Sequence, residues 1–382
     1  MTTRPKPSLP AVFCESATKD YYREDNRGGY IRVKKECVKT YLKSLGYSPI
    51  KDDKELISDL DAMLLRIQTE HPLDFVGSLA GHPAGFRTTS KLNLLVTQSP
   101  ASVTPAPGQW PLIKQVGENL FGPIQWLYVL SWLKLSLVMM LTGLWQAGQA
   151  FVMCGAKGAG KNLFTQFIKM LLGGRAADPY QYMTGVTSFN HDIFGAELLI
   201  IEDKAESINI QARRAFGAAI KNITVNENQR YHRQYGDPIL LNPIWRIVIS
   251  LNDDPERLLV LPPIDPDIDD KMMVFKVFKH PMPMPTKTGA QQKAFETAWM
   301  AEIPAFAHFL QEWEIPAQLQ CDRFGVEVSS TLRFLKRWKK PPRRTVVAQL
   351  ECCCALTSYS CSCSCPLFRA RARARVRGKI PN

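Results

Sequence analysis

The distribution of apolar and polar residues predicts a small mixed α/β region over residues 12–100. Residues 30–33 follow a Gly-Gly turn and have the composition of a short strand, and residues 92–96 are again strand-like. Apolar residues recur at helical spacing over 37–45 and over 56–67. This part of the chain therefore reads as short strands and helices mixed along the sequence.

An apolar segment of about 22 residues, 124–145, has the length needed to span a bilayer. It follows a proline-rich stretch, 104–111, that is either a linker or an ordered extended loop. Lys134 lies in the middle of the apolar segment, where a charge is costly in a membrane, and no basic cluster flanks it. We therefore expect a buried helix that covers a neighbouring core, and no association with a membrane.

Residues 150–154 begin the part of the sequence that suggests chemistry. They form a continuous apolar run, which is typical of a strand buried on both faces. The segment GAKGAGKN comes next, and an apolar helical face then runs from Leu163 to Leu171. Strand, glycine loop, Gly-Lys and helix are the context of a phosphate-binding P-loop, whose backbone amides hold ATP phosphates at a helix N-terminus. The residues expected to bind the nucleotide are Gly155, Ala156, Lys157, Gly158, Ala159, Gly160, Lys161 and Asn162.

Lys161 is expected to reach the β- and γ-phosphates, but the position after it departs from the motif. Asn162 stands where Ser or Thr normally supplies a hydroxyl to Mg²⁺. An amide oxygen can coordinate a hard cation, although with a different geometry. Nucleotide binding is therefore better supported by the sequence than hydrolysis.

Two further apolar runs end in polar residues suited to this chemistry. Residues 198–201 read as a buried strand that ends in Glu202 and Asp203, the pattern of a Walker B strand. We expect Asp203 and Asn162 to hold Mg²⁺, and Glu202 to polarise the attacking water. Residues 247–252 form another buried-strand run and end in Asn252, which is expected beside the γ-phosphate or, alternatively, only starts a turn.

The composition changes after about residue 330. The 52 residues 331–382 carry a net charge of +12 out of +13 for the chain, so the preceding 330 residues are nearly neutral. Six of the ten cysteines also lie here, without the paired spacing and histidines of a zinc site. We expect a disordered basic tail, or a shifted reading frame at the end of the gene. Met1–Pro10 has no secretory pattern, which favours a cytoplasmic protein with free thiols.

The order and spacing of these elements resemble superfamily-3 helicases, and more closely the helicase-like domain of phage and plasmid primase-polymerases. The resemblance covers roughly residues 12–325. It rests on GAKGAGKN and on five longer stretches: GSLAGHPAGF at 77–86, PYQYMTGVTSFNHDIFGAELLIIED at 179–203, IKNITVNENQRYHRQ at 220–234, WRIVISLNDDPERLLVLPP at 245–263 and DDKMMVFK at 269–276.

This resemblance implies an AAA-like P-loop NTPase with a three-layer core that assembles as a ring, with ATP between subunits. Asn252 then matches the sensor position, and either Lys271 or Arg257 is the cation supplied to the neighbouring subunit. The resemblance also implies a basic hairpin that grips single-stranded DNA, for which the candidates are Lys221, Arg230, His232 and Arg233.

The sequence therefore predicts an N-terminal α/β region with its linker (1–111), a helical segment (112–145), an ATPase core (146–285), a C-terminal helical region (286–330) and the tail (331–382). The expected function is an ATP-binding, ATP-hydrolysing DNA helicase motor of a phage, plasmid or integrated element. The alternative is a non-hydrolysing, nucleotide-dependent DNA-binding or assembly module. The first hundred residues show no D-x-D pair in a strand, so we expect either the helicase half alone or a truncated member. A replication primase or polymerase is an expected partner.

Overall fold

A computed structural model describes residues 11–327 except 26, 52–54, 71, 90, 203–208, 235–236 and 264–265. Three predicted features lie outside these residues: the basic tail, Asp203, and the polar leader that precedes residue 11. The predicted α/β class is confirmed, because parallel strands alternate with helices through the middle of the described chain.

The described strands are β1 Val12–Glu15, β2 Tyr21–Glu24, β3 Tyr30–Val33, β4 Pro72–Leu73, β5 Phe75–Gly77, β6 Gly85–Thr88, β7 Asn93–Val96, β8 Ala150–Cys154, β9 Ala176–Ala177, β10 Leu198–Glu202, β11 Gln229–Tyr231, β12 Ile239–Leu241, β13 Arg246–Leu251 and β14 Met272–Lys276. The helices are α1 Lys35–Ser44, α2 Asp59–Glu70, α3 Pro111–Thr142, α4 Lys161–Leu171, α5 Tyr180–Met183, α6 Ile210–Val225, α7 Pro255–Leu258, α8 Pro266–Asp269, α9 Gly289–Ala301 and α10 Ile303–Glu312, with a 3₁₀ turn at Ala317–Leu319.

The central sheet has five parallel strands in the order β14-β8-β13-β10-β9. Strands β8 and β13 are buried along their whole length, as their continuous apolar runs predict. Leu251 pairs with Cys154, and Glu202 pairs with Ser250. The carboxyl ends of β8, β13 and β10 therefore meet at one edge of the sheet, where α/β proteins place ligands.

The N-terminal region forms a separate small core. Its four strands, in the order β3-β2-β1-β4, pack against α1 and α2. The buried residues of this core include Tyr21, Leu42 and Ile67. A second sheet, in the order β5-β7-β6, comes next in the chain. The prediction of a small mixed α/β region is confirmed.

Helix α3 contains the membrane-like segment and covers the core of the central domain. It is the one helix of the described residues with the length and apolar composition to cross a membrane, and half of its most apolar window is buried. Gly122, with φ 72° and ψ 165°, interrupts the helix just before Pro123. Lys134 donates to the backbone carbonyls of Leu310 (3.1 Å) and Gln311 (3.0 Å). Its ammonium group is thus satisfied within the chain, and the predicted buried helix is confirmed.

A buried carboxylate joins the N-terminal region to the central sheet. Glu197 is fully buried, forms an ion pair with Arg175, and accepts a hydrogen bond from the backbone N–H of Gly81 at 3.0 Å. Arg175 also donates to the carbonyl of Gln98 at 3.1 Å. Segments near residues 81 and 98 are therefore fixed to the strand that contains Glu202.

Candidate functional site

The loop between β8 and α4, residues 155–160, has backbone geometry that only glycine tolerates at three positions. A Cβ on Gly155 would lie 2.5 Å from the carbonyl oxygen of Val277, closer than any real contact. Gly158 and Gly160 have φ values of 74° and 103°, which L side chains rarely adopt. Ala156 and Lys157 lie exposed at the tip, and Ala159 is buried. The loop can therefore approach a ligand with its backbone.

Lys161 is the first residue of α4, and its ammonium group is held inside this loop. Nζ donates to the carbonyls of Gly155 (2.7 Å) and Ala156 (3.0 Å) and to Oδ1 of Asn252 (2.9 Å). Only 7% of Lys161 is exposed. A buried cation at a helix N-terminus, where unpaired amides also point, is a strong attractor for an anion.

The structure brings three of the predicted catalytic residues to the same edge of the sheet. Asn252 follows β13 and contacts Lys161 directly, while Glu202 ends the neighbouring strand β10 with an exposed side chain. Asp203, the predicted metal ligand, lies outside the described residues. No cluster of three or more His, Cys, Asp or Glu side chains occurs among the residues that are described, so the Mg²⁺ site stays a prediction.

Asn162, the other predicted metal ligand, lies in the first turn of α4 with an exposed side chain. Its position is the one that the motif gives to a Ser or Thr hydroxyl. Helix α4 therefore starts where the sequence predicts, and the departure from the motif is limited to the side chain of residue 162.

The two candidates for a cation acting on a neighbouring subunit occupy different environments. Lys271 is 7% exposed and donates to Asp270 (2.6 Å) and to the carbonyl of Asp267 (2.7 Å). It directly precedes β14 and so lies at the amino ends of the parallel strands, whereas the glycine-rich loop follows the carboxyl end of β8. Arg257 lies in the short helix α7, half-buried and just after Asn252 in the chain. The structure does not bring Lys271 to the loop of its own chain.

The predicted basic hairpin exists, but its four candidate residues have different roles. Strands β11 and β12 pair as an antiparallel hairpin, and Arg230 is exposed on it opposite Leu240. Arg233 forms an ion pair with Glu15, a residue of β1 that is 3% exposed. Lys221 lies on α6 and pairs with Asp267 at 3.0 Å.

His232, the fourth hairpin candidate, packs against the ring of Phe189, with 5.0 Å between ring centroids. Of the four residues, Arg230 is therefore the one most open to an external ligand. Sequence reasoning did not identify Glu15 as a partner of Arg233, because the two residues are 218 positions apart and belong to different regions.

Comparison with known proteins shows which solved structures share the fold, and it does not show which reaction the chain catalyses. A model of a family of unknown function, DUF5906, matches residues 153–267, which begin in β8 and end in α8. No curated protein sequence matches the chain.

Among solved structures, the apo structure of the NrS-1 C-terminal region has a TM-score of 0.58 and 13% identity, and the match covers 87% of this chain and 72% of that one. The A form of the same region has a TM-score of 0.56 and 13% identity, and the match covers 86% of this chain and 72% of that one. At this identity the likeness shows a shared fold. The active helicase SCCmec type IV Cch also matches, with 11% identity over 87% of this chain and 61% of that one, but its TM-score of 0.32 is too low to support an argument.

Proposed function

We propose that this chain binds ATP at the 155–160 loop and hydrolyses it as a helicase-type motor on single-stranded DNA. The observation that carries the proposal is the contact between Lys161 and Asn252. It joins the loop after β8 to the end of β13, the arrangement expected where a γ-phosphate lies between a P-loop lysine and a sensor asparagine. The order of motifs along the chain, which resembles superfamily-3 helicases, supports the same function.

The loop fits a polyphosphate chain. Its glycines at 158 and 160 allow the left-handed turns that such a loop needs, and α4, with 11 residues, begins directly after it, so its N-terminus would attract the same phosphates. Lys161 would exchange its contacts with the loop carbonyls for phosphate oxygens of higher charge. Charge-assisted hydrogen bonds of this kind are roughly twice as strong as neutral ones.

Hydrolysis needs a base, an oriented water and a divalent cation. Glu202 is exposed at the end of β10 and would accept the proton of the attacking water, while Asn252 would position that water or the γ-phosphate. Asn162 and Asp203 would hold Mg²⁺, which neutralises the charge that develops on the transferring phosphoryl group.

Action on DNA rests on the hairpin and on assembly. Arg230 is exposed on the hairpin and would contact phosphates of a single strand, and a ring of identical chains would bring several hairpins together. In such a ring the neighbouring chain would supply Arg257 or Lys271 to the bound ATP. A primase or polymerase is the partner that such a motor would serve.

A second function, nucleotide-dependent DNA binding without hydrolysis, is favoured by one observation. Asn162 replaces the hydroxyl residue of the motif, so the metal shell differs from that of active relatives of this motif. Both functions use the same nucleotide site, and a measurement of ATP hydrolysis distinguishes them.

The test is ATP binding and phosphate release by the full chain, with and without single-stranded DNA. Lys161→Ala should abolish ATP binding, because the phosphates lose their cation. Lys114→Ala, which changes an exposed lysine of α3, is the matched control. Unchanged ATP affinity in Lys161→Ala would refute the nucleotide site. Normal binding with no turnover in wild type would select the non-hydrolysing module.

A further inference from the structure

A groove of about 710 Å³ runs between α4 and α9. Asn162, Gln166 and Met170 line it from α4, and Glu296, Thr297 and Met300 line it from α9. Its volume lies in the range of small-molecule sites, about 300–1,000 Å³. Of the lining residues, Asn162 alone also belongs to the proposed phosphate site, so the rest of the groove has no part in binding phosphates.

The groove begins at the residue next to Lys161. The side chain of Lys161 reaches Asn252 on β13, so a triphosphate bound by Lys161 has its terminal phosphate on the side of β13 and β10. The other end of the triphosphate must leave the first turn of α4, where Asn162 is exposed. Asn162 is also a wall of the groove.

We infer that this groove receives the ribose and base of the nucleotide whose phosphates lie on the 155–160 loop, a conclusion that rests on the proposed function. Helix α4 would then bind both halves of the ligand. Its N-terminus would bind the phosphates, and its exposed face would bind the nucleoside. The C-terminal helix α9 supplies the opposite wall of the nucleoside site.

The lining residues determine how the base is recognised. Met170 and Met300 offer flexible apolar surfaces, and thioether sulfur makes favourable contacts with aromatic rings of any identity. The polar lining residues are all exposed, so water competes for their hydrogen bonds; they are Asn162, Gln166, Lys293, Glu296 and Thr297. Strong discrimination requires buried polar groups that a wrong ligand leaves unpaired. The site therefore binds nucleoside triphosphates with little preference among bases.

The test compares ATP with inorganic triphosphate, which has the phosphates but no nucleoside. Thr297→Trp fills the groove from α9, and Gln166→Trp fills it from α4. Each should weaken ATP binding at least tenfold and leave triphosphate binding within twofold of wild type. Ala294→Trp is the matched control, since residue 294 is exposed on the same helix but does not line the groove. In wild type, GTP and CTP should compete with ATP within about tenfold.

The outcomes distinguish the two proposals. If Lys161→Ala loses both ligands while both groove variants bind ATP like wild type, the phosphate site stands and the groove assignment is overturned. If wild type binds neither ATP nor triphosphate, both are overturned. If the groove variants stay monomeric at concentrations where wild type assembles, and still bind ATP like wild type, a second copy of the chain occupies the groove, and the nucleoside assignment is again overturned. Thermal melting of each variant confirms that it is folded.

Discussion

The Nζ atom of Lys161 lies 2.9 Å from Oδ1 of Asn252, although the two residues are 91 positions apart in the chain. This hydrogen bond ties the start of α4 to the end of β13. Any ligand that takes the ammonium group from Asn252 also removes this hydrogen bond from Oδ1 of Asn252, so the two residues respond together to a bound phosphate.

Replacing Asn252 with Ala should therefore separate binding from turnover. Lys161 keeps its acceptors on Gly155 and Ala156, so ATP should still bind with nearly unchanged affinity. Turnover should fall roughly 100-fold, the usual cost of removing one positioned polar group from a transition state. Equilibrium ATP binding and steady-state phosphate release measure the two quantities. Asn119→Ala, an exposed change on α3, is the control, and equal loss of binding and turnover would contradict a positioning role.

Replacing Glu202 with Gln preserves the size of the side chain and removes its basicity. We expect ATP binding to persist while turnover falls by about 10²–10⁴, the range for loss of a general base. Single-turnover hydrolysis of prebound ATP is the direct measurement, with Glu118→Gln as an exposed control. If the variant hydrolyses ATP at the wild-type rate, the general base is Asp203 or another residue.

Replacing Asn162 with Thr restores the hydroxyl of the P-loop motif. The position lies in the first turn of α4 and is exposed, so the fold should tolerate the change. We expect turnover to rise about tenfold, equivalent to roughly 1.4 kcal/mol of barrier, together with a lower Mg²⁺ requirement. Phosphate release across a Mg²⁺ titration tests this. Identical Mg²⁺ curves would mean that the Asn162 amide already serves as the ligand.

Two arginines of the hairpin region should respond differently to the same substitution. Arg233→Ala leaves the buried carboxylate of Glu15 without its partner and should cost about 3 kcal/mol of unfolding free energy. Arg230→Ala should leave stability within about 0.5 kcal/mol. It should reduce the slope of log affinity for single-stranded DNA against log salt by about 0.7. Urea unfolding and salt-dependent DNA binding give the two readouts; a stable Arg233→Ala protein with weak DNA binding would reverse the assignment.

Cysteine reactivity offers a check on the packing beneath the glycine-rich loop. Burial raises the pKa of the Cys154 thiol to about 12, so its reactive thiolate is on the order of one part in 10⁴ at pH 8. Cys37 is exposed on α1. Iodoacetamide at pH 8 should modify Cys37 first and Cys154 only after denaturation, as read by peptide mass spectrometry. Rapid labelling of Cys154 in the native chain would show that β8 is not buried.

The elements that the sequence predicted best are the fully buried strands. Residues 150–154 were expected as a strand and form β8 with the same bounds, because an uninterrupted apolar run has few alternatives in a folded chain. Strands β10 and β13 were also expected, although their bounds differ by one residue from those predicted, and Glu202 and Asn252 lie at the sheet edge where these strands end.

Long-range polar contacts were not predictable in this way. The ion pair of Arg233 with Glu15 and the position of Lys271 depend on how distant segments pack, and a local pattern carries no information on that. The groove between α4 and α9 was also missed, since the sequence predicted only a helical region over 286–330 and not which helix it packs beside. Helix starts were less precise: the helix expected from residue 56 begins at Asp59.

The buried carboxylate of Glu197 also affects the order in which the chain can fold during synthesis. The backbone amide of Gly81 finds its acceptor, Glu197, 116 residues later in the chain. His82 contacts the carbonyl of Asn242, which follows His82 by 160 positions. A ribosome that has just completed β7 has therefore released a segment in which the Gly81 amide and the His82 side chain still lack these two native partners. Contacts of such sequence separation form slowly because a long loop must close first. Until Glu197 and Asn242 emerge, the segment around Gly81 and His82 depends on protection from aggregation.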